Sequence, residues 1–507
     1  MPSPRNRGAD ALALALAAAG VKRLFTLSGN HVMPVFDACL DAGIALVHVR
    51  HEAAAVHMAD AWARLTGEVG VALVTGGPGH ANAVGALYTA AMAESPVVLL
   101  SGHAPRSQLG MGAFQEMPQE AIAAPLCKRS LTSASADRVA IDFGEAVRTA
   151  RSGRAGPVHL SLPQDALDNP ADRQLVPLQA GYAPEAMPLD ESAAQGLIAR
   201  LATAHRPLVL CGPASATAAG RARMAALEQA SGVPVIAMES PRGIADPSLG
   251  AFGQVLAQAD VVLLVGKRLD FTLRFGAAPA MPADCEFLQV DAEDLEIERT
   301  RRAVGSRLVQ HAKAEAASAL VALQRAARGG DASHAAWRAE VASAIRYRPA
   351  AWDEVRATAQ GRLHPVEALR PVQAILEKHP EAVLVCDGGE FGQWAQACLA
   401  ARHRVINGVA GSIGSALPFA VAARLAKPQG PVIAILGDGT FGFHPAELDT
   451  AVRHGAPFVA VVGNDARWNA EYQIQLRDSV PIGCSAASCC PRGTTRWPSG
   501  SAGMASA

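Results

Sequence analysis

The sequence predicts an α/β protein built from three doubly wound parallel-sheet domains, and three observations carry that reading. Short apolar runs recur along the chain between Ala-rich stretches of helical length, the alternation that covers a parallel sheet with helices. The chain has 507 residues, which at about 100–200 residues per domain makes three. Hydrophobic residues make up 50% and charged residues 18%, enough to give each domain its own core and too apolar for long disorder.

The first domain is expected over residues 1–168. An apolar stretch over 11–19 reads as a helix stopped by Gly20, with a strand following from Val21 through Phe25. Arg5 and Arg7 ahead of that stretch also have the layout of a secretory signal. Asp10 interrupts it, and the run passes straight into Val21 and Lys22, which favours helix and strand. Further strands are expected over 45–49, 69–74, 95–100 and 157–162. Pro170, Pro177, Pro184 and Pro188 mark 168–190 as a linker. The central domain, 190–330, has strands over 207–211, 234–237, 261–265 and 287–290. A helical stretch over 312–345 and a second connector near 346–362 come next. The third domain, 360–482, has strands over 382–386, 431–436 and 457–462.

Residues 483–507 break the pattern. They contain no Leu, Ile or Val, yet hold Cys484, Cys489 and Cys490 of the nine cysteines. No second ligand pair stands at zinc spacing. The chain has 39 Arg against 6 Lys, the bias of GC-rich codons, and such codons for 486–499 give an ordinary globular sequence in a shifted frame. The tail therefore reads as aberrant and out of frame, with the third domain cut short.

Composition narrows the function. A net charge of −1 leaves no basic surplus to neutralise phosphates, so neither nucleic acid nor a membrane is an expected partner. No apolar run reaches the roughly 18 residues that span a bilayer. Most cysteines stand singly, as reduced cytoplasmic thiols do. A small-molecule substrate in the cytoplasm is the expectation.

The chemistry concentrates in Gly437, Asp438, Gly439, Thr440 and Gly442, after a strand, with Gly463, Asn464 and Asp465 at the end of the next. Two readings compete. The three glycines fit a dinucleotide fingerprint with Asp465 as the ribose acid, which would make an NAD-dependent oxidoreductase. Asp438, however, puts a carboxylate where backbone amides should meet a pyrophosphate, and two anions repel unless a cation lies between them. With Mg²⁺, Asp438 and the Asn464 side chain become hard oxygen ligands and a diphosphate completes the octahedron.

Gly-Asp-Gly followed by Asn464, 26 residues after Asp438, resembles the diphosphate-binding motif of thiamine diphosphate enzymes. The resemblance implies metal binding by Asp438, Asn464 and the carbonyl of Ala466. That family usually has Asn-Asn where this chain has Gly463-Asn464, and the second Asn is the ligand. It also implies a glutamate after an early strand, and Glu52 occupies the strand-to-helix junction. Read alone, Glu52 is a first-turn carboxylate favoured by the helix dipole. In the family such a carboxylate favours the imino tautomer of the aminopyrimidine, whose nitrogen takes the proton from the thiazolium carbon. His51, Glu52 and His57 lack the spacing of a zinc-protease motif.

Further segments resemble the same family. Gly79 and Asn82 lie in its Gly-Pro-Gly turn. Ile413 would wedge between the cofactor rings, with the Gly411 carbonyl accepting from the 4′-amino group. Gly388, Gly389 and Glu390 would approach the diphosphate from a helix start. Phe114 and Gln115 resemble an acetolactate synthase segment that lines the active site. His31 is similar to the histidine of benzaldehyde lyase that handles protons on the substrate hydroxyl. The stretch 265–276 looks like 2-hydroxyacyl-CoA lyase and oxalyl-CoA decarboxylase. It lacks the Arg-Phe-Asp-Asp-Arg pattern of FAD-holding synthases, which speaks against FAD and leaves an ADP or CoA nucleotide open.

The resemblance implies an acetolactate synthase-like enzyme, a decarboxylase and carboligase (transferase) acting on a 2-oxo acid or aldehyde, or a lyase acting on a 2-hydroxyacyl-CoA or benzoin-type substrate. Glu52, His31 and Gln115 would be its catalytic residues. The family's site lies between two subunits, which implies a homodimer or homotetramer. Two rivals stay open at this point, the NAD-dependent oxidoreductase and a catalytically dead product of a frame-shifted gene.

Overall fold

Strands buried on both faces need apolar side chains at successive positions, and the strands of this chain have them. The computed structural model describes residues 6–327, 332–356 and 363–478. The tail read as aberrant (483–507) and residues 357–362 of the second connector lie outside the described residues. Three parallel-sheet α/β domains result, as the sequence predicts.

The first sheet holds β1 (Arg23–Thr26), β2 (Ala45–His48), β3 (Gly70–Val74), β4 (Val97–His103), β5 (Arg129–Thr132) and β6 (Val158–Pro163), in the order β2-β1-β3-β4-β6-β5. Every pairing is parallel. The second holds β7 (Pro207–Cys211), β8 (Val235–Ala237), β9 (Val261–Val265), β10 (Glu286–Asp291) and β11 (Leu308–Lys313), in the order β11-β10-β9-β7-β8. Its side chains alternate between two cores: Val209, Leu263 and Val290 on one face, Leu208, Leu264 and Phe287 on the other. In the third domain β12 (Val383–Cys386) pairs with β13 (His403–Ile406), and β14 (Val432–Gly437) with β15 (Val459–Gly463), again in parallel.

Three strands have no counterpart in the sequence reading: β5, β11 and β13. Each lies at a sheet edge and carries polar residues among the apolar ones, so no continuous apolar run announces it. The stretch read as helical over 312–345 holds the end of β11 and two helices, Ala316–Ala326 and Ala335–Arg346. The first helix, Gly8–Ala18, buries Ala9, Leu12 and Leu16 completely in the core of the first domain, the packing of a structural element. No helix among the described residues is long and apolar enough to cross a membrane.

The chain divides into two compact units, one within Met1–Glu185 and Ser412–Ala507, the other within Ala186–Gly411. In the first, the helix Glu52–Thr66 packs on β3 through Gly70, where an added Cβ would lie 2.0 Å from the Ala59 carbonyl oxygen. That contact sets the height of the helix over the sheet.

Gly70→Ala should therefore lower the unfolding free energy of this unit by about 1–3 kcal/mol, the usual cost of overpacking. Gly85, in the helix Pro78–Met92, has open space around it, and Gly85→Ala should stabilise by up to about 1 kcal/mol. Urea unfolding followed by circular dichroism measures both; equal midpoints would contradict the packing argument.

Candidate functional site

The order β2-β1-β3-β4 has a topological switch point between β1 and β3, where the chain turns from winding one way to winding the other. In open α/β sheets ligands bind at the carboxyl ends of the strands beside such a point. His31 follows β1, Glu52 follows β2, the segment from Thr75 to Asn82 follows β3, and Gln115 follows β4.

Glu52 is the first residue of its helix, capped by His51, whose Nδ1 accepts from the Ala53 amide at 3.2 Å. Its Oε2 accepts from Asn82 Nδ2 at 3.0 Å. Gly79 allows this approach: a Cβ there would meet Glu52 Oε1 at 3.3 Å and Thr75 Cγ2 at 2.7 Å. Thr75 Oγ1 lies 3.2 Å from Nδ1 of the buried His31, whose ring stacks on Phe114 at 6.0 Å between centroids. Burial, and then the neighbouring His103, lower the basicity of His31, which favours a neutral imidazole at physiological pH. Gln115 has φ of +58° and its backbone presses on Gly77, where a Cβ would meet the Gln115 carbonyl oxygen at 2.6 Å.

Gln119 holds this turn together and carries no motif by which sequence could have marked it. It is buried; its Oε1 accepts from the Gly77 amide at 2.9 Å, and its Nε2 donates to the Gly102 carbonyl at 3.1 Å and Ser161 Oγ at 2.8 Å.

In the third domain the register pairs Gly437 with Gly463, so Asp438 and Asn464 leave two adjacent strand ends side by side. Thr440 is buried and donates to the Gly437 carbonyl at 3.1 Å. Gly439 lies against the Trp468 ring, which a Cβ would meet at 2.6 Å. Burial, and then the charge of Asp465, raise the Asp438 carboxyl above its ordinary range, and burial raises Asp465 as well. Ala466 sits at φ +57°, its amide donating to Asn464 Oδ1 at 3.2 Å. The Asp438 carboxylate, the Asn464 amide oxygen and the backbone at Ala466 are hard oxygen donors of the kind that fits a divalent cation. Among the described residues no three His, Cys, Asp or Glu side chains cluster as a metal site, so any cation here would depend on amide and backbone oxygens as well.

His444 links the two halves. Its Nδ1 donates to the Gly414 carbonyl at 2.8 Å, beside Ile413, and its ring lies 5.7 Å from His51 and 5.8 Å from His57 between centroids. The buried Glu447 accepts from the Arg50 amide at 3.0 Å and from Thr450 Oγ1 at 2.7 Å. Arg50 pairs with Asp449 at 2.6 Å, and the His48 amide donates to His454 Nε2 at 3.0 Å. Glu447 escaped the sequence reading because a first-turn acid of a helix is ordinary. In the other unit, Gly388, Gly389 and Glu390 start the helix Gly389–Cys398; the Gly388 amide donates to the buried Asp387 at 2.7 Å, and Trp394 Nε1 donates to Glu390 Oε1 at 3.4 Å. Gly389 and Gly411 have φ of +78° and +68°.

Structure thus brings together Glu52, Asn82, Gly79, His31 and Gln115, and separately Gly437, Asp438, Gly439, Thr440, Asn464 and Ala466. Comparison with known proteins finds three family models in the chain: the N-terminal thiamine pyrophosphate-binding domain over residues 6–122, the central domain over 194–320 and the C-terminal binding domain over 387–480. A probable acetolactate synthase of Mycobacterium bovis is 32% identical over 483 residues, covering 93% of this chain and 85% of that protein. The 2-hydroxyacyl-CoA lyase 2 of Bos taurus is 33% identical over 522 residues, covering 94% and 80%. A probable acetolactate synthase large subunit of Methanocaldococcus jannaschii is 27% identical, covering 94% and 84%.

The junction around His57 generates a pH prediction. His57 is buried among His444, His51, Arg64 and Phe419, its Nδ1 has no hydrogen-bond partner, and burial pushes its pKa down to about 3. An unfolded chain takes up this proton as pH falls through about 6.5, the folded one only near 3. Between those values acid favours unfolding, by up to about 1.4 kcal/mol per pH unit for this group. Urea midpoints at pH 7 and pH 5 should converge in His57→Phe relative to the parent chain; an unchanged pH dependence would contradict the burial argument.

Proposed function

The chain belongs to the thiamine pyrophosphate enzyme family, enzymes that form or cleave C–C bonds with thiamine diphosphate, and from that premise we propose how its residues divide the work. When bound, the cofactor supplies an acidic carbon that adds to a carbonyl and accommodates the electron pair of the bond being made or broken. Glu52, oriented by Asn82, holds the proton at N1′ of the aminopyrimidine. The neutral His31, oriented through Thr75, takes and returns a proton at the substrate hydroxyl. Gln115 donates its amide to a substrate oxygen. Asp438, Asn464 and the Ala466 carbonyl would hold Mg²⁺, whose charge would offset that of the diphosphate, and the amides of Gly437, Gly439 and Thr440 would bind the same diphosphate. We assign Gly388, Gly389 and Glu390 to the diphosphate as well, and Gly411 and Ile413 to the aminopyrimidine and the wedge between the rings.

The single observation that carries this reading is the Glu52–Asn82 contact at the switch point, one threonine away from a neutral buried histidine. The reaction we favour is acetolactate synthase-like decarboxylation and carboligation of a 2-oxo acid. A lyase acting on a 2-hydroxyacyl-CoA is the second reading, favoured by the residues at 265–276 and by relatives that bear that name. The glycines at 437, 439 and 442 serve the diphosphate in either case and not a nicotinamide. We place the enzyme in the cytoplasm, on six free cysteines among the described residues, and as a homodimer or homotetramer, on the resemblance alone.

Calorimetric titration of thiamine diphosphate tests the assignment. Binding should require Mg²⁺ and disappear with excess chelator, and Asp438→Asn should weaken it at least about tenfold. Glu52→Gln should keep cofactor affinity and lower kcat by about 10²–10⁴. Cofactor binding without any divalent cation would sink the metal assignment. No binding by a folded chain would instead bring forward the frame-shifted, inactive reading.

A further inference from the structure

Glu116 has no part in the chemistry above, yet it organises the loop after β4 that carries Phe114 and Gln115. Gly110 and Gly112 turn that loop with φ of +81° and +75°. Glu116 closes it. One carboxylate oxygen accepts from the Gly110 amide at 2.5 Å and the other from the Ala113 amide at 3.0 Å. The Glu116 amide in turn donates to the Ala113 carbonyl at 3.0 Å. The amides of Gly110 and then of Ala113 hold the Glu116 carboxyl below its ordinary range, so the acceptor is ionised at neutral pH. A charged acceptor that takes amides from two points of a loop fixes both points, and such bonds are the stronger kind.

Phe114 and Gln115 lie between the clamped Ala113 and Glu116 itself. The Phe114 ring stacks on His31 with 6.0 Å between centroids and 24° between planes. Phe114 is 68% exposed, so its place over the imidazole is set by the backbone beneath it and not by a surrounding core. Gln115, at φ +58°, has a left-handed backbone that a residue with a side chain keeps only where its surroundings impose it. Gly77 presses on it from one side, and the clamp fixes the residue that follows. We propose that Glu116 is a positioning residue: by closing the 110–116 loop it holds Phe114 on His31 and Gln115 against Gly77, and so places the two substrate-serving groups together. The proposal rests on the reading of His31 and Gln115 as groups that serve the substrate.

The His31 imidazole reports on this without turnover. NMR titration of the histidine-labelled full chain follows it, with the signal assigned by its loss in His31→Gln. Burial is the largest influence lowering His31; His103 adds to it and the Phe114 backbone opposes it, while Asp165 and Asp168 line the same cavity. Glu116→Ala should free Phe114, admit water to the ring and move the His31 midpoint upward. Loss of a nearby negative charge alone would move it downward, so the sign separates the clamp from a simple charge effect. Thiamine diphosphate affinity should stay unchanged, and kcat/KM for pyruvate should fall about 10–100-fold. Glu116→Gln keeps one acceptor oxygen and should lie between. Glu120→Gln, an exposed acid in the next helix, Gln119–Ala123, should match the parent. An unmoved or lowered midpoint in Glu116→Ala overturns the proposal; where circular dichroism shows that variant unfolded, Glu116→Gln decides by the same criterion. Absence of pyruvate turnover in the parent, or parental turnover in His31→Gln, counts against the functional reading, and the His31 midpoint still decides on Glu116.

Discussion

The site depends first on where β2 ends, and a buried carboxylate fixes that point. Glu447 accepts from the amide of Arg50, two residues before Glu52, at a depth where burial alone raises its carboxyl above the ordinary range. An acceptor held there is costly to leave unpaired, so the strand end and the 444–454 segment are bound to move together. Arg50 with Asp449 and His48 with His454 add contacts at the rim, where solvent and salt weaken them. The buried contact therefore decides the geometry, and the exposed ones trim it.

Around that anchor the structure uses glycine to bring backbones closer than side chains allow. Gly79 admits Glu52 and Thr75, Gly77 admits Gln115, Gly102 admits His31, and Gly70 seats the helix on which Glu52 stands. Gln119 then ties two of these turns to β6 with three hydrogen bonds. Groups meant to act on a bound molecule must be held within about half an ångström, and glycine contacts backed by a satisfied buried amide are one way to reach that tolerance.

What could be read from sequence follows the same division. Central strands were legible because both faces are buried and the apolar run is unbroken, as in β9 and β14. The edge strands β5, β11 and β13 were not, since water on one side lets polar residues in. Asp438 and Asn464 were marked by a motif that resembles the diphosphate site of thiamine diphosphate enzymes, and Glu52 by the same resemblance, since read alone it is an ordinary first-turn carboxylate. Asn82 was marked by its motif, but its hydrogen bond to Glu52 depends on the crossing of two helix starts. Glu447 and Gln119 act through contacts with residues far along the chain, and neither residue type nor local pattern distinguishes them from ordinary helix acids or amides. His31 lies between these cases: its motif was visible, while its neutrality comes from burial that only the fold supplies.

The two halves of the site treat carboxylates in opposite ways, and the difference accounts for the proposed metal. Glu52 is met by a neutral amide donor, Asn82, which stabilises a carboxylate without cancelling its charge. Asp438 is met by burial and by a second acid, Asp465, and both terms push its ionisation upward in pH. A cation held there would offset both terms by coordinating the ionised carboxylate. A diphosphate entering beside Asp438 would add charge to the same spot, which makes cation and diphosphate mutually dependent in binding: each lowers the electrostatic cost that the other meets. The order of the charges along the Gly-Asp-Gly turn thus implies cooperative loading, a property that the Glu52 half of the site neither needs nor has the groups to produce.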